Sequence, residues 1–383
     1  MTELKPRPMQ VYGKIHALTS LRFFAALFVV LFHTTWVFFP WIKPHVGFGK
    51  LFSLGYVSVS FFFLLSGYIL AYVYLRPAKA VSVSSFYQAR FARIYPLLFL
   101  TLILDSPFLI IDKIQAYGLR SGIFKSAFVF AGSAALLQAW TPKLKDINSP
   151  SWSLSVEAVF YLSFPFLGAI LWKLRGVPLW LVAAVLYFGG QLLVFFASQH
   201  MSMDFVERIP LLHLSTFFLG ILLARLQTVI HDRTSRTSDK SPVVDYALLA
   251  ICILCVPAII LWSPASPSMT DCLCDGLLAP IFACLIWIFS NANFAPARFL
   301  SAPWMVVLGE ASFGLYLFHA PVMHLFGYLG LVRYPTLFFV YLITSVGISV
   351  FSFYYFETPV RKWIVKRPRL HLKETMEAAS DAR

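Results

Sequence analysis

The chain has 383 residues, of which 59% are hydrophobic and 13% charged, and its mean hydropathy is +0.75. A soluble globular fold could not hide that much apolar surface. The net charge of +14 is spread over short connections and the C-terminal tail, which speaks against nucleic-acid binding and fits Lys and Arg holding loops in the cytoplasm.

The first apolar stretch, residues 18–39, follows Lys5, Arg7 and Lys14. It is too long for a signal-peptide core and lacks a small-residue cleavage site, so it is expected to remain as a span. Further apolar segments follow at 51–75, 94–111, 123–140, 153–172, 177–197, 209–226, 243–262, 273–290, 304–328 and 336–356, most of them near the length that crosses a bilayer core. Charged or turn-forming loops separate them, such as 76–93, 141–151, 231–241 and 291–303.

Positive-inside counting places the N-terminus in the cytoplasm together with the tail that carries Arg361, Lys362, Lys366, Arg367, Arg369 and Lys373. An odd number of crossings cannot do this, so one of the segments must fail to span. The conflict is confined to residues 94–140. The segment 94–111 contains Pro96, Asp105 and Pro107 and is expected to be re-entrant or interfacial, since irregular backbone is tolerated at depth where protein buries it; the alternative is 123–140. The expectation is therefore an all-α polytopic membrane protein with about ten transmembrane helices plus one re-entrant or interfacial segment. Residues 1–356 form the membrane domain and 357–383 a basic cytoplasmic tail, disordered from about Lys373. No repeat of fixed period is present.

The five cysteines include Cys252, Cys255 and Cys284 inside apolar stretches, where thiols behave as small hydrophobes. Cys252-x-x-Cys255 lacks nearby His or acidic partners and Cys272/Cys274, at a loop edge, is only a slightly better signal, so no metal is expected.

Ionisable groups inside spans are costly and face a cavity or a partner. Arg22 and His33 are eleven residues apart, close to three whole turns, and so share a face, with Arg22 near the cytoplasm and His33 beyond mid-membrane. A snorkelling anchor also explains Arg22, and a structural hydrogen bond also explains His33. Glu157 lies one turn inside its segment with Tyr161 on the same face; paired with an imidazole it would fix the tautomer and raise basicity, while the plainer reading is a partner for the helix-start dipole. Arg90 and Arg93 at the cytoplasmic boundary suit phosphate groups as well as ordinary anchoring. Ser312, Tyr316 and His319 share one face of their helix and line a cavity or hydrogen-bond another helix, and Glu310 falls nearly opposite His319. His213, His324 and His45 stand alone and read as structural or interfacial. A proton-coupled transporter would use the same residue types.

Seven motifs in order give the chain a resemblance to the membrane acyltransferase-3 family over nearly its whole length. They are Leu21-Arg22 through Phe32-His33, Phe62-Phe63-Leu64-Leu65-Ser66-Gly67-Tyr68, Arg90-x-x-Arg93-x-x-Pro96, Trp152-Ser153-Leu154-Ser155-Val156-Glu157 with Phe160-Tyr161, Phe218-Leu219-Gly220, Gly314-Leu315-Tyr316-Leu317-Phe318-His319-x-Pro321 and Glu357-x-Pro359. Two departures stand out: Thr19-Ser20 where the family often has Asp-Gly, and Ala158 where a second glutamate is common.

The resemblance implies about ten spans and transfer of an acyl group, commonly acetyl, from coenzyme A to carbohydrates of the cell surface, lipid-linked glycans, macrolides or other lipids. On that reading Arg22, Arg90 and Arg93 hold the phosphates of acetyl-CoA or another acyl-CoA. His33 is the general base or transient acyl carrier, with Glu157 orienting it. Trp152, Ser153, Tyr161, Ser312, Tyr316 and His319 form the acceptor pocket, and no metal is required. Some relatives carry an extracytoplasmic hydrolase-like domain after the spans; about 27 residues follow Phe356 here, so that domain is expected to be absent. The implied partners are acyl-CoA, a carbohydrate or lipid-linked glycan acceptor, the lipid bilayer and polysaccharide-assembly proteins, with no nucleic acid. The small loops suit a bacterial inner membrane. A flippase for a lipid-linked sugar, with His33 and Glu157 as a proton relay, is the competing class, and an inactive assembly partner is a third.

Overall fold

In hydrocarbon every backbone N–H and C=O must be satisfied within the protein, and helices do this segment by segment. The computed structural model accordingly has no strand among the described residues, which are 15–42, 48–53, 55–75, 82–144, 146–234, 242–263, 266–291 and 294–366. The lead with Lys5, Arg7 and Lys14, His45, and the tail from Arg367 onward lie outside them.

The main helices are α1 (His16–Phe38), α2 (Val57–Tyr74), α3 (Val83–Tyr117), α4 (Leu119–Ala134), α5 (Trp152–Ser163), α6 (Val177–His200), α7 (Pro210–Thr234), α8 (Pro242–Trp262), α9 (Ala279–Asn291), α10 (Pro303–Tyr328) and α11 (Leu337–Ser352). Wide helical turns extend three of them: Phe164–Gly168 after α5, Leu273–Leu277 before α9 and Phe353–Glu357 after α11, the last leading into a helix Thr358–Lys366. Ten helical stretches among the described residues are long and apolar enough to cross a membrane, so the expected count holds.

The expectation for 94–111 is corrected. Those residues sit inside α3, one continuous helix of 35 residues with Pro96 and Pro107 within it. Asp105 is accommodated because its carboxylate accepts from the Asn148 backbone N–H at 2.7 Å and pairs with His324 Nδ1 at 2.6 Å. The segment that falls short is α4, with 16 residues. It packs along α3, and twelve residues beyond its end Asp146 meets Lys113 near the end of α3 at 2.6 Å. The chain has by then returned to the level it left.

Close backbone crossings set the centre of the bundle. A Cβ on Gly67 would lie 2.0 Å from the Phe217 carbonyl oxygen, and one on Gly220 would lie 2.0 Å from that of Leu64. These two glycines let α2 and α7 touch backbone to backbone, as small residues do between membrane helices. A Cβ on Gly309 would lie 2.2 Å from the Thr19 carbonyl oxygen, and the buried Ser20 hydroxyl donates to the Leu300 carbonyl at 2.5 Å. That seats α1 against α10, the two helices that carry His33 and His319.

Candidate active site

Arg22 of α1, Ser66 of α2, Arg90 and Arg93 of α3, Ser153, Glu157 and Tyr161 of α5, and Glu310, Ser312 and Tyr316 of α10 all line one cavity of about 280 Å³. Residues separated by almost 300 positions in sequence meet there because α1, α2, α3, α5 and α10 share the centre of the bundle.

One end of the cavity is basic. The Arg90 guanidinium lies among the rings of Tyr74, Phe86 and Tyr161, with its carbon 5.6, 6.0 and 5.7 Å from their centroids. Its Nη2 donates to the Tyr74 hydroxyl at 3.2 Å. Arg93 is close enough to act electrostatically on Arg22, as are Glu310 and Glu157. Arg93 also borders a small side pocket with Glu310, Glu357 and Arg361. The three arginines singled out in the sequence are thus brought together.

Glu157 is placed differently from expectation. One of its oxygens accepts from the Tyr161 hydroxyl at 2.7 Å and from the Ser66 hydroxyl at 3.2 Å, and the carboxylate acts on Arg22 and Arg90. His33 is not its partner. The physical reason is depth: Ser153, one turn earlier on α5, already meets Tyr316 at 2.8 Å, so Glu157 lies a turn further toward the arginines. Tyr161 follows it and sits beside Arg90, away from the other residues expected around the acceptor.

Beyond the Ser153–Tyr316 end, behind the residues that line the cavity, lies a group of imidazoles and aromatic rings. His33 Nδ1 donates to the Val29 carbonyl at 2.9 Å, which leaves Nε2 with its lone pair free. His319 repeats this arrangement, with Nδ1 facing the Leu315 carbonyl at 3.3 Å and a buried Nε2 that has no hydrogen-bond partner. The two rings lie 5.1 Å apart between centroids. Tyr316 joins cavity to histidines: it lines the former, its ring is 6.2 Å from that of His319, and its hydroxyl donates to the Pro150 carbonyl at 2.8 Å. Trp152, beside Tyr56 at 6.3 Å, closes this end, and Tyr56 in turn lies 6.3 Å from His33. Of the expected acceptor residues, Trp152, Ser153, Tyr316 and His319 gather here, while Ser312 lines the cavity wall and bonds the Gly309 carbonyl at 2.7 Å.

A family model described as an acyltransferase domain matches residues 15–354. The chain belongs to the membrane acyltransferase-3 family. It is 31% identical over 328 residues to the acyltransferase MdmB of Streptomyces mycarofaciens, covering 81% of this chain and 79% of that one. It is 27% identical over 369 residues to nodulation protein 10 of Rhizobium leguminosarum bv. viciae, covering 89% and 92%. A Staphylococcus aureus (strain COL) protein with a provisional O-acetyltransferase name is 22% identical over 386 residues, covering 92% of this chain and 58% of the relative. No solved structure matches the chain. Acyl transfer in a membrane is therefore the activity of this family member.

Sequence reasoning missed a polar group near His33. His213, read there as isolated, pairs through Nδ1 with buried Asp275 and through Nε2 with the Glu207 carbonyl at 3.1 Å. Glu207, Arg208 and Asp271 adjoin it. The available signal was the clustering of Asp204, Glu207 and Arg208 in one connection and of Asp271 and Asp275 at the edge of an apolar run. Among the described residues no group of three His, Cys, Asp or Glu side chains is arranged to hold a metal ion.

Proposed function

We propose that the chain moves an acyl group, in the first place acetyl, from cytoplasmic acyl-CoA to a hydroxyl of a carbohydrate acceptor. The observation that carries this reading is one cavity with Arg22, Arg90 and Arg93 at one end and Ser153 and Tyr316 at the other, where Tyr316 leads on to His319 and His33 behind it. Three guanidinium groups match the 3′-phosphate and diphosphate of coenzyme A. The termini then lie in the cytoplasm, and the acceptor arrives from the far side.

In this mechanism His33 Nε2 takes the proton of the acceptor hydroxyl, whose oxygen forms a bond to the thioester carbonyl carbon. The C–S bond breaks, and the departing thiolate receives the proton from Nε2. The Val29 carbonyl supports the imidazolium through Nδ1, a role the sequence had suggested for Glu157. Glu157, with Tyr161 and Ser66, instead orders the arginine end. A transient acyl-His33 is the two-step form of the same chemistry.

Membranes containing the protein, supplied with radiolabelled acetyl-CoA and crude lipid-linked glycan, test the proposal. Label transfer is expected to fall by at least about a hundredfold in His33→Ala, the scale of lost general-base catalysis. Transfer that survives in His33→Ala sinks the assignment of His33, and absence of transfer from any acyl-CoA sinks the donor.

A further inference from the structure

Arg208 is a buried cation that the donor path does not use. It follows the short helix Met203–Val206, is 7% exposed, and has no hydrogen-bond partner at Nε or Nη1. Buried guanidinium N–H groups that make no hydrogen bond are expensive, so an absent ligand is the natural complement. Its charge acts on His33, Tyr56 and Tyr316, which places it at the histidine end, away from the three arginines.

Its surroundings describe that ligand. Glu207, Asp271 and Asp275 form an acidic group with which Arg208 also interacts, and both carboxylate oxygens of fully buried Asp271 are without a hydrogen-bond partner. Burial and Asp271 push the Glu207 carboxyl up to about 7, so near neutrality it can donate as well as accept a hydrogen bond. Trp152 lies 6.3 Å from Tyr56 and 5.7 Å from His213, so apolar ring faces border the group. A guanidinium donates to hydroxyl and ring oxygens, carboxyl groups accept from hydroxyls, and aromatic faces cover C–H surface. Three carboxyl groups against one guanidinium repel a phosphate or a uronate.

We propose that Arg208, Glu207 and Asp271 form the acceptor subsite at the His33 end, and that it takes an uncharged, hydroxyl-bearing ring such as a neutral sugar. This rests on the acyl-transfer reading of that end and names its substrate class. A free sugar and a lipid-linked one present the same ring chemistry.

The test uses the full chain in lipid nanodiscs prepared without glycoside detergent. Initial rates of acetyl transfer from acetyl-CoA are measured to methyl and dodecyl glucoside, galactoside and mannoside and to the matching methyl uronosides. Acetyl-CoA binding is measured on the same samples. A neutral glycoside is expected to exceed its uronoside by at least about tenfold in kcat/KM. Arg208→Met is expected to raise the KM for that glycoside by about tenfold or more, the cost of lost charged hydrogen bonds, with acetyl-CoA affinity unchanged. Asp271→Asn should raise the same KM and serves as the second variant. Dodecyl glycosides outperforming methyl ones identify a lipid-linked sugar, and the reverse a free one. Uronosides used as well as neutral sugars, a glycoside KM that Arg208→Met and Asp271→Asn leave unchanged, or no transfer to any glycoside would each overturn the subsite. In the last case intact acetyl-CoA binding leaves the donor reading standing, whereas its loss removes that reading too.

Discussion

Glu157 accepts hydrogen bonds from the hydroxyls of Tyr161 and Ser66 on one oxygen, which orients the carboxylate beside Arg22 and Arg90. Tyr161→Phe removes one of these bonds and nothing else of similar size. It is expected to raise the KM for acetyl-CoA by a few-fold to about tenfold, the worth of one hydrogen bond to a charged group, with kcat for the bound donor nearly unchanged. Initial rates against acetyl-CoA concentration check this, and a fall in kcat at constant KM would return Glu157 to the chemistry at His33. Glu207 makes a prediction of opposite character. Its carboxyl is raised to about 7 by burial and by Asp271, against 4.5 for the unperturbed group. Below about pH 4.5 the folded and unfolded states are both protonated and nothing is lost. Between there and 7 the folded state holds more protons, and stability falls as pH rises. Glu207→Gln removes that slope and is expected to melt higher than the parent at pH 8, by on the order of 1–3 kcal/mol, but not at pH 4.5. Melting curves that stay parallel at both pH values would contradict it. These residues were unequally legible in the sequence. Arg22 and His33 were readable because a helical period fixes both face and depth. The partner of Glu157 was not, since the depth of α5 relative to α1 is set by the Ser153–Tyr316 bond, which no local pattern encodes.

The crossing of α2 with α7 puts Ser66 where it reaches Glu157, and Gly67 is the neighbouring residue. A methyl group on Gly67 would meet the Phe217 carbonyl, and backbone on both sides leaves no flexible atom to move aside. Gly67→Ala is therefore expected to cost about 1–3 kcal/mol through overpacking and to impair acetyl-CoA use by moving Ser66 off its partner. Gly189→Ala on α6 is the matched control, because nothing lies within 4 Å of its added carbon; there the lower chain entropy of alanine should leave stability equal or slightly higher. Thermal unfolding of both variants in one lipid preparation compares them directly, and equal melting would mean that α2 and α7 are not held in backbone contact. The sequence marked Gly67 and Gly220 only as parts of motifs. Their reciprocity appears when the two helices are placed together.

At the scale of the molecule, charge parity and helix geometry bear on the same ambiguity from opposite directions. Parity led to the expectation that one segment between residues 94 and 140 fails to cross but could not choose it, because Pro96, Asp105 and Pro107 all argue against a span when read locally. One of those objections is answered by distant partners: Asn148 and His324 satisfy Asp105. The 35 residues of α3 rise about 52 Å, ample for a hydrocarbon core of about 30 Å. The loop 135–148 brings the chain back, so Tyr117 and Asp146, both exposed, belong to one membrane face, and the exposed Ser85 and Lys362 to the other. Single cysteines at these four positions, treated in intact cells with a membrane-impermeant maleimide, are expected to label at Tyr117→Cys and Asp146→Cys. Those at Ser85→Cys and Lys362→Cys should label only after permeabilisation. If Tyr117→Cys and Asp146→Cys react from opposite sides, α4 crosses the membrane, and the ten-span arrangement with both termini on one face is wrong. Arg90 and Arg93 follow Ser85 within the first turns of α3, so the same four labels also decide whether acyl-CoA would meet them from the cytoplasm.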